Sequence, residues 1–309
     1  MNQIKLFIEL TRLGRPVGFM LLFWPCLWGL TIVYDFNSDL LNYFFYCALF
    51  LSGSVLMRSA GCIVNDIADK NFDKKVERTK NRPIASGKVS IKLASVYALF
   101  LCGAAFLVLI NFNNFTILMA LISMPLAFTY PLMKRITYWP QLFLGITFNY
   151  GLILAWISIS NEISIVPIIF YLGAIFWTLG YDTIYGFQDI KDDEIIGVKS
   201  TSIKFKNDPK KFLFISYSLF ILSLFLVGIL MQFKIYYFLF MIIPIIHLLV
   251  FQVKKLNTAL SKDCLTKFKS NNLLGLIIFI NIIIGKKYKQ NDKIKNIQKT
   301  LSRLYKKIY

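Results

Sequence analysis

The sequence predicts an all-α membrane protein that crosses the bilayer about nine times, and three observations carry that expectation. The 309-residue chain is 57% hydrophobic, with 29 Phe and 16 Tyr, and its mean hydropathy of +0.60 is too high for an ordinary water-soluble domain. Apolar runs recur along it at about the 17–25 residues needed to cross roughly 30 Å of hydrocarbon. The charges lie between those runs, so the formal net charge of +19 belongs to loops and not to a folded basic face. No nucleic-acid recognition module is present in the pattern, and no nucleic-acid partner is expected.

Residues 1–16 form a short N-terminal arm. It is amphipathic and lacks the compact apolar stretch and small-residue cleavage site of a removable signal. The first span is Val17 to Val33, with Trp24, Pro25 and Trp28. The second, Leu41 to Val64, carries Arg58 inside it. Leu93 to Ile110 and Phe115 to Leu132 follow, joined by the polar turn Asn111–Asn114 and expected to make a tight pair. Trp139 to Ile159, Ile165 to Phe187, Phe212 to Met231 and Ile235 to Val253 complete eight spans. A last apolar piece, Leu273 to Gly285, is short for a ninth. Residues 17–285 are therefore one transmembrane domain, and 286–309 a basic tail.

Loop charges test the count. The loops after spans two, four, six and eight hold nearly all the internal Lys and Arg, whereas the alternate loops hold Asp35, Asp39, Asn residues, Glu162 and Lys234. The positive-inside rule puts the basic loops in the cytoplasm. The tail is the exception, because nine crossings would carry it outside. Either the last segment does not cross or the tail is tolerated there; it reads as a low-complexity extension, or else as a basic amphipathic segment on an anionic membrane surface. The cysteines Cys26, Cys47, Cys62, Cys102 and Cys264 form no paired motif and read as small buried hydrophobes. His247 is the only histidine and lies in an apolar run, so it reads as a packing residue, and Ser-His-Asp chemistry is not expected.

Two acidic stretches stand out, each ending an apolar run. In Asn65-Asp66-Ile67-Ala68-Asp69-Lys70-Asn71-Phe72-Asp73, helical spacing sets Asp66 and Asp73 nearly over one another, with Asp69 between and the Asn65 amide beside them. In Tyr181 to Asp193, the residues Asp182, Asp189 and Asp193 again share one helical face. One such cluster reads readily as helix caps or solvated charge. Two on the same membrane side point to shared divalent cations. Carboxylates repel a phosphate, but they hold Mg²⁺, whose oxygen shell substrate phosphates commonly complete. Asp182 lies inside an apolar segment, where an ionisable group is costly and functional by default. Arg58 points the same way as Asn65 about 10 Å deeper; it is either an internal partner for Asp182 or a backbone carbonyl, or an anchor for a substrate carboxylate.

The pattern Asn65 to Asp73, followed by Arg78-Thr79-Lys80-Asn81-Arg82-Pro83-Ile84-Ala85-Ser86-Gly87, resembles the UbiA family of intramembrane prenyltransferases. Tyr181-Asp182-Thr183, Gln188-Asp189, Asp192-Asp193 and Gly197-Val198-Lys199-Ser200-Thr201 resemble its 4-hydroxybenzoate branch. Leu56 to Cys62, Tyr130-Pro131 with Lys134-Arg135, and Asn271-Asn272 with Gly275-Leu276 support the likeness, which runs from about Arg12 to Gly285.

That resemblance implies a helical bundle around a central cavity, Mg²⁺ dependence, and transfer of a prenyl group from a polyprenyl diphosphate to 4-hydroxybenzoate in ubiquinone biosynthesis. It assigns Asn65, Asp69 and Asp73, with neighbouring Asp66, to one metal-binding motif, and Asp189 and Asp193, supported by Asp182, to the other. Tyr130, Lys134 and Arg135, and more loosely Arg78, Arg82 and Lys199, are assigned to the diphosphate, and Arg58 to the acceptor's carboxylate. Asp69, Asp189 and Asp182 are the expected catalytic carboxylates. A bacterial inner membrane with its site on the cytoplasmic side is the expected setting. Other aromatic acceptors, a naphthoate or a haem, stay open. A cation transporter is disfavoured because the acids sit at one surface beside Arg and Lys, and a phospho-alcohol transferase because its Gly-Ala-Arg-type motif is missing.

Overall fold

The computed structural model describes residues 3–308, and side chains for residues 3–286. The described residues are helical throughout, without a strand. An arm helix, α1 (Gln3–Thr11), precedes α2 (Val17–Val33), α3 (Leu40–Ala68), α4 (Ile91–Leu109), α5 (Asn114–Thr129), α6 (Pro140–Ser160) and α7 (Ile165–Gly186). α8 (Pro209–Leu230), α9 (Ile235–Lys254) and α10 (Ser261–Ile308) complete the chain. Eight spans have the length and apolarity to cross a bilayer, α5 among them once it continues through the turns Tyr130–Leu132 and Met133–Ile136, and α2, with 17 residues, is the shorter ninth. The expectation of about nine spans is met.

Polar residues just outside the apolar runs start the helices. Asp39, Ser90, Asn113, Ser164 and Asp208 each accept a hydrogen bond from a backbone N–H of the first turn, satisfying donors that hydrocarbon cannot. α2 is the hub. It packs against α3, α6 and α10, while α7 bridges α6, α8 and α10. Trp28, fully buried, stacks on Phe170 and Phe220 and meets Trp177, tying α2, α7 and α8 through one aromatic column.

Two elements differ from expectation. α4 and α5 do not form a tight pair: α4 packs on α3 and α5 on α6. Apolar runs give lengths but not neighbours, and both faces left unpaired are supplied with lipid-compatible side chains such as Leu99, Phe100, Leu118 and Ile122. The last span is longer than its apolar run, because Ser261–Lys286 includes a polar stretch whose groups are satisfied inside the bundle. There Asn271 accepts from the Trp177 indole at 2.8 Å and from Gln252, whose Oε1 also accepts from Tyr217. His247, on a π-helical stretch of α9, joins the same network through Ser270 at 3.1 Å and Gln252 at 3.4 Å. Where its membrane-length part ends, α10 is latched to the end of α2: the Lys286 ammonium donates to the carbonyls of Thr31, Ile32 and Tyr34. Beyond Lys286, the basic tail lies outside the residues whose side chains are described.

Candidate active site

The first acidic stretch is not one continuous helix. α3 ends where the Asp69 N–H bonds the Asn65 carbonyl at 2.9 Å, and a single turn, Lys70–Asp73, continues from there. The break turns Asp69 inward, 1% exposed, with its Oδ2 paired to the Lys134 ammonium. Asp66 is held by Arg12 and, at 3.1 Å, by Arg82, which also reaches Asp73 at 2.8 Å. The Asn65 side chain is half-buried beside them. Burial pushes the Asp69 carboxyl above the usual carboxylate range, and the Lys134 ammonium opposes that shift.

The second stretch also breaks. α7 ends at Gly186, and Asp193 lies on a short helix, Ile190–Ile196, that begins after Asp189. Arg78 grips Asp189 as a fork, with Nε at 2.8 and 3.0 Å from the two oxygens, and its Nη1 donates to the Tyr185 hydroxyl at 3.1 Å. The Glu77 N–H reaches Asp192 at 3.3 Å. The loop after the first motif is thereby tied to the second, and Lys134 acts electrostatically on both Asp69 and Asp193. Burial, followed by the neighbouring charge of Asp189, pushes the Asp193 carboxyl up to about 6.

Deeper in the bundle lie Arg58, Tyr130 and Asp182. Tyr130 and Asp182 are each half-buried. Arg58 acts electrostatically on both, but no ion pair joins it to Asp182, and its buried Nε has no hydrogen-bond partner. The guanidinium lies 5.4 Å from the Phe148 ring centroid and passes directly under Gly18, where an added Cβ would sit 3.0 Å from Nε. One donor of a guanidinium held in place is therefore unused.

Most of the residues singled out in the sequence therefore converge at one end of the bundle, with two exceptions. The Lys199 ammonium turns away, bonding the Ile136 carbonyl at 3.0 Å and lying 5.7 Å from the Tyr138 ring centroid. Arg135 donates to the Ala68 carbonyl and lies over Phe72, bracing the α3 break without touching a carboxylate. Arg12 was not among the expected site residues. It belongs to the arm, where its left-handed backbone (φ 58°) directs the guanidinium into the site. Its lone position four residues before Pro16 carries no motif; the only available signal was that the likeness begins there.

Among the described residues, no three carboxylate, histidine or cysteine side chains gather into a ready-made metal cage. Asp66, Asp69, Asp73 and Asp189 are instead each paired with a cation, as mutual repulsion dictates. The donor set still suits Mg²⁺. It is all oxygen, and Asp69 Oδ1 is buried with no partner, a lone pair left for a hard cation.

A bundle of membrane-length helices whose two acidic motifs are bridged by Arg and Lys is the frame of an intramembrane enzyme. The chain belongs to the UbiA prenyltransferase family, whose model matches residues 22–281. It is 41% identical over 302 residues to the mitochondrial 4-hydroxybenzoate polyprenyltransferase of Bos taurus, covering 96% of this chain and 80% of that protein. It is 38% identical to the 4-hydroxybenzoate octaprenyltransferase of Francisella tularensis subsp. novicida, covering 92% and 98%. Among solved structures, a UbiA homologue from Aeropyrum pernix K1 superposes with a TM-score of 0.69 at 21% identity, covering 88% of this chain and 98% of that one. A homologue from Archaeoglobus fulgidus bound to GPP and Mg²⁺ superposes with a TM-score of 0.65 at 18% identity, covering 90% and 99%.

Proposed function

We propose that the protein transfers a polyprenyl group from polyprenyl diphosphate to the ring of 4-hydroxybenzoate, releasing diphosphate, as a step in ubiquinone biosynthesis. One observation carries this reading. The two acidic motifs are gripped by Arg12, Arg78, Arg82 and Lys134, and Arg58, its buried Nε unpartnered, lies deeper in the bundle. The names of the cattle and Francisella relatives support the choice of substrates.

Asn65, Asp66, Asp69, Asp73, Asp189 and Asp193 would hold Mg²⁺, which when bound neutralises charge on the diphosphate oxygens. Arg78, Arg82, Lys134 and Arg12 form the cationic wall, with Tyr130 between that wall and Arg58. The allylic C–O bond breaks and its electron pair leaves with the diphosphate, into a field already oriented for it. Arg58 holds the acceptor's carboxylate, and Asp182 polarises its phenol. The ring carbon beside the phenol oxygen donates its π pair to the allylic carbon, and the ring proton then passes to a nearby carboxylate. Phe148, beside Arg58, would help keep water from the cation. The concentration of Lys and Arg in the loops at this end supports a site on the cytoplasmic side, and the Francisella relative fits a bacterial inner membrane as the setting.

The test is transfer of ring-labelled 4-hydroxybenzoate into lipid by membranes containing the protein, with a polyprenyl diphosphate and either Mg²⁺ or EDTA. Labelled lipid that forms with Mg²⁺ and disappears with EDTA is expected. Well-expressed protein that makes no product at any prenyl length would overturn the choice of acceptor, with naphthoates the next to try.

A further inference from the structure

The loop that follows the second acidic motif ends in a knot of buried polar side chains with no contact to any carboxylate. Thr183, Thr201 and Ser202 are fully buried, and Gln141 is 6% exposed. The Thr201 N–H donates to Gln141 Oε1 at 3.0 Å, the Thr183 and Thr201 hydroxyls lie 2.6 Å apart, and the Ser202 hydroxyl donates to the Thr183 carbonyl at 2.8 Å. The single Thr183 hydroxyl proton goes to the Leu179 carbonyl at 2.6 Å, so Thr201 is the donor between the two threonines. Nothing can be inserted there, since a Cβ on Gly186 would lie 2.3 Å from the Ser202 hydroxyl oxygen.

Two lines run from this knot into the site. Thr183 adjoins Asp182 on α7. In the other direction, two residues before Thr201, the Lys199 N–H donates to the Lys134 carbonyl at 2.9 Å and its ammonium to the Ile136 carbonyl at 3.0 Å. Lys134 in turn holds Asp69 of the first motif. Gln141 at the start of α6, Thr201 in the loop, Lys199, Lys134 and Asp69 thus form one connected path between the two acidic motifs.

We infer that Gln141 and Thr201 are positioning residues that set the second acidic loop, and through Lys199 the Lys134 side chain, in register with Asp69. Neither touches the place proposed for the substrates. Fixed backbone and a fully satisfied buried network hold an ammonium where a mobile loop would not. The inference rests on the functional reading above. It also gives the segment from Lys199 to Ser202 a role other than direct contact with the diphosphate.

The experiment compares Thr201→Val, which keeps the shape and removes the hydroxyl, with Thr201→Ser and with Gln141→Met in full-length protein in detergent. With Thr201→Val the KM values for Mg²⁺ and for the polyprenyl diphosphate should rise together by about tenfold, the usual scale for outer supports of a metal site. The acceptor KM should stay unchanged, and Thr201→Ser should restore the wild-type values. A readout independent of turnover is the rise in unfolding temperature on adding Mg²⁺ with inorganic diphosphate, which should need correspondingly more Mg²⁺ in Thr201→Val. Gln141→Met should give the same pattern and stands in if Thr201→Val accumulates poorly. Wild-type KM values in both variants would overturn the inference, as would a loss of folded protein with unchanged KM. A wild-type protein with neither product nor Mg²⁺ response would overturn the functional reading, and the inference with it.

Discussion

Replacing Lys134 by Met tests the site at its most buried charge. The ammonium is the ion-pair partner of Asp69, with side-chain exposures of 23% and 1%, and the other Asp69 oxygen has no hydrogen bond. Lys134→Met therefore leaves a buried carboxylate with neither oxygen satisfied. Breaking a buried pair from one side costs about 3–5 kcal/mol. The partial opening of Lys134 to solvent puts this pair near the lower end, about 3 kcal/mol of folding stability, and the loss of one fixed cation from the site should separately lower kcat/KM by roughly 10²-fold, the scale of one lost oriented donor. The sign of the pH effect follows from which form suffers. Burial already raises the Asp69 carboxyl and Lys134 pulls it back, so the variant raises it further. A proton must then leave at higher pH before Asp69 can accept a cation, and activity is lost sooner as pH falls. The assay is kcat/KM for polyprenyl diphosphate at saturating 4-hydroxybenzoate, in detergent, from about pH 6 to about pH 9. A deficit of roughly 10²-fold near neutral pH that narrows at the alkaline end is expected, with partial recovery in Lys134→Arg. A variant within about threefold of wild type, or with an unshifted acid limb, would refute the reasoning.

Three further outcomes follow from the same geometry. Arg58→Met should raise the acceptor KM by about tenfold or more and leave the donor KM alone, and Gly18→Ala, which crowds Arg58, should move it severalfold the same way; two-substrate initial rates check both. Arg12→Ala should lose less activity than Arg82→Ala, since Arg82 remains on Asp66 when Arg12 is gone, whereas removing Arg82 strips Asp73 of its cation; parallel kcat/KM values decide. With Asp193 pushed up to about 6, kcat/KM for Mg²⁺ should fall by about tenfold per pH unit below that value, and Asp193→Asn should remove that limb along with most activity.

Helix number and the acidic residues were legible because each leaves a periodic trace. An apolar run announces its own length, and Asp66, Asp69 and Asp73 announce a shared face even though α3 breaks at Asp69. What was not legible depends on partners distant in sequence. Arg12 reaches Asp66 across 54 residues through a left-handed turn that leaves no pattern. Lys199 and Arg135 carry the charge expected of phosphate ligands, but carbonyls at Ile136 and Ala68 claim them. The apolar stripes of α4 and α5 match equally well against each other or against α3 and α6. The last span read as short, from Leu273, because the polar residues before it, Ser270 and Asn271, find their partners on α9 and α7.

The latch between the first and last crossings bears on how the chain is built. The Trp24 and Trp28 indoles of α2 donate to Asn272 and Gly275 of α10, at 2.7 and 3.0 Å and across 248 and 247 residues. At about 5–20 residues per second of synthesis, α2 waits on the order of ten to fifty seconds for its acceptors. During that interval the hub helix sits in the bilayer with two indole donors that hydrocarbon does not satisfy. Its assembly is therefore post-translational in substance: the hub helix is made long before its acceptors, and a nascent chain stopped before Asn272 has no finished hub.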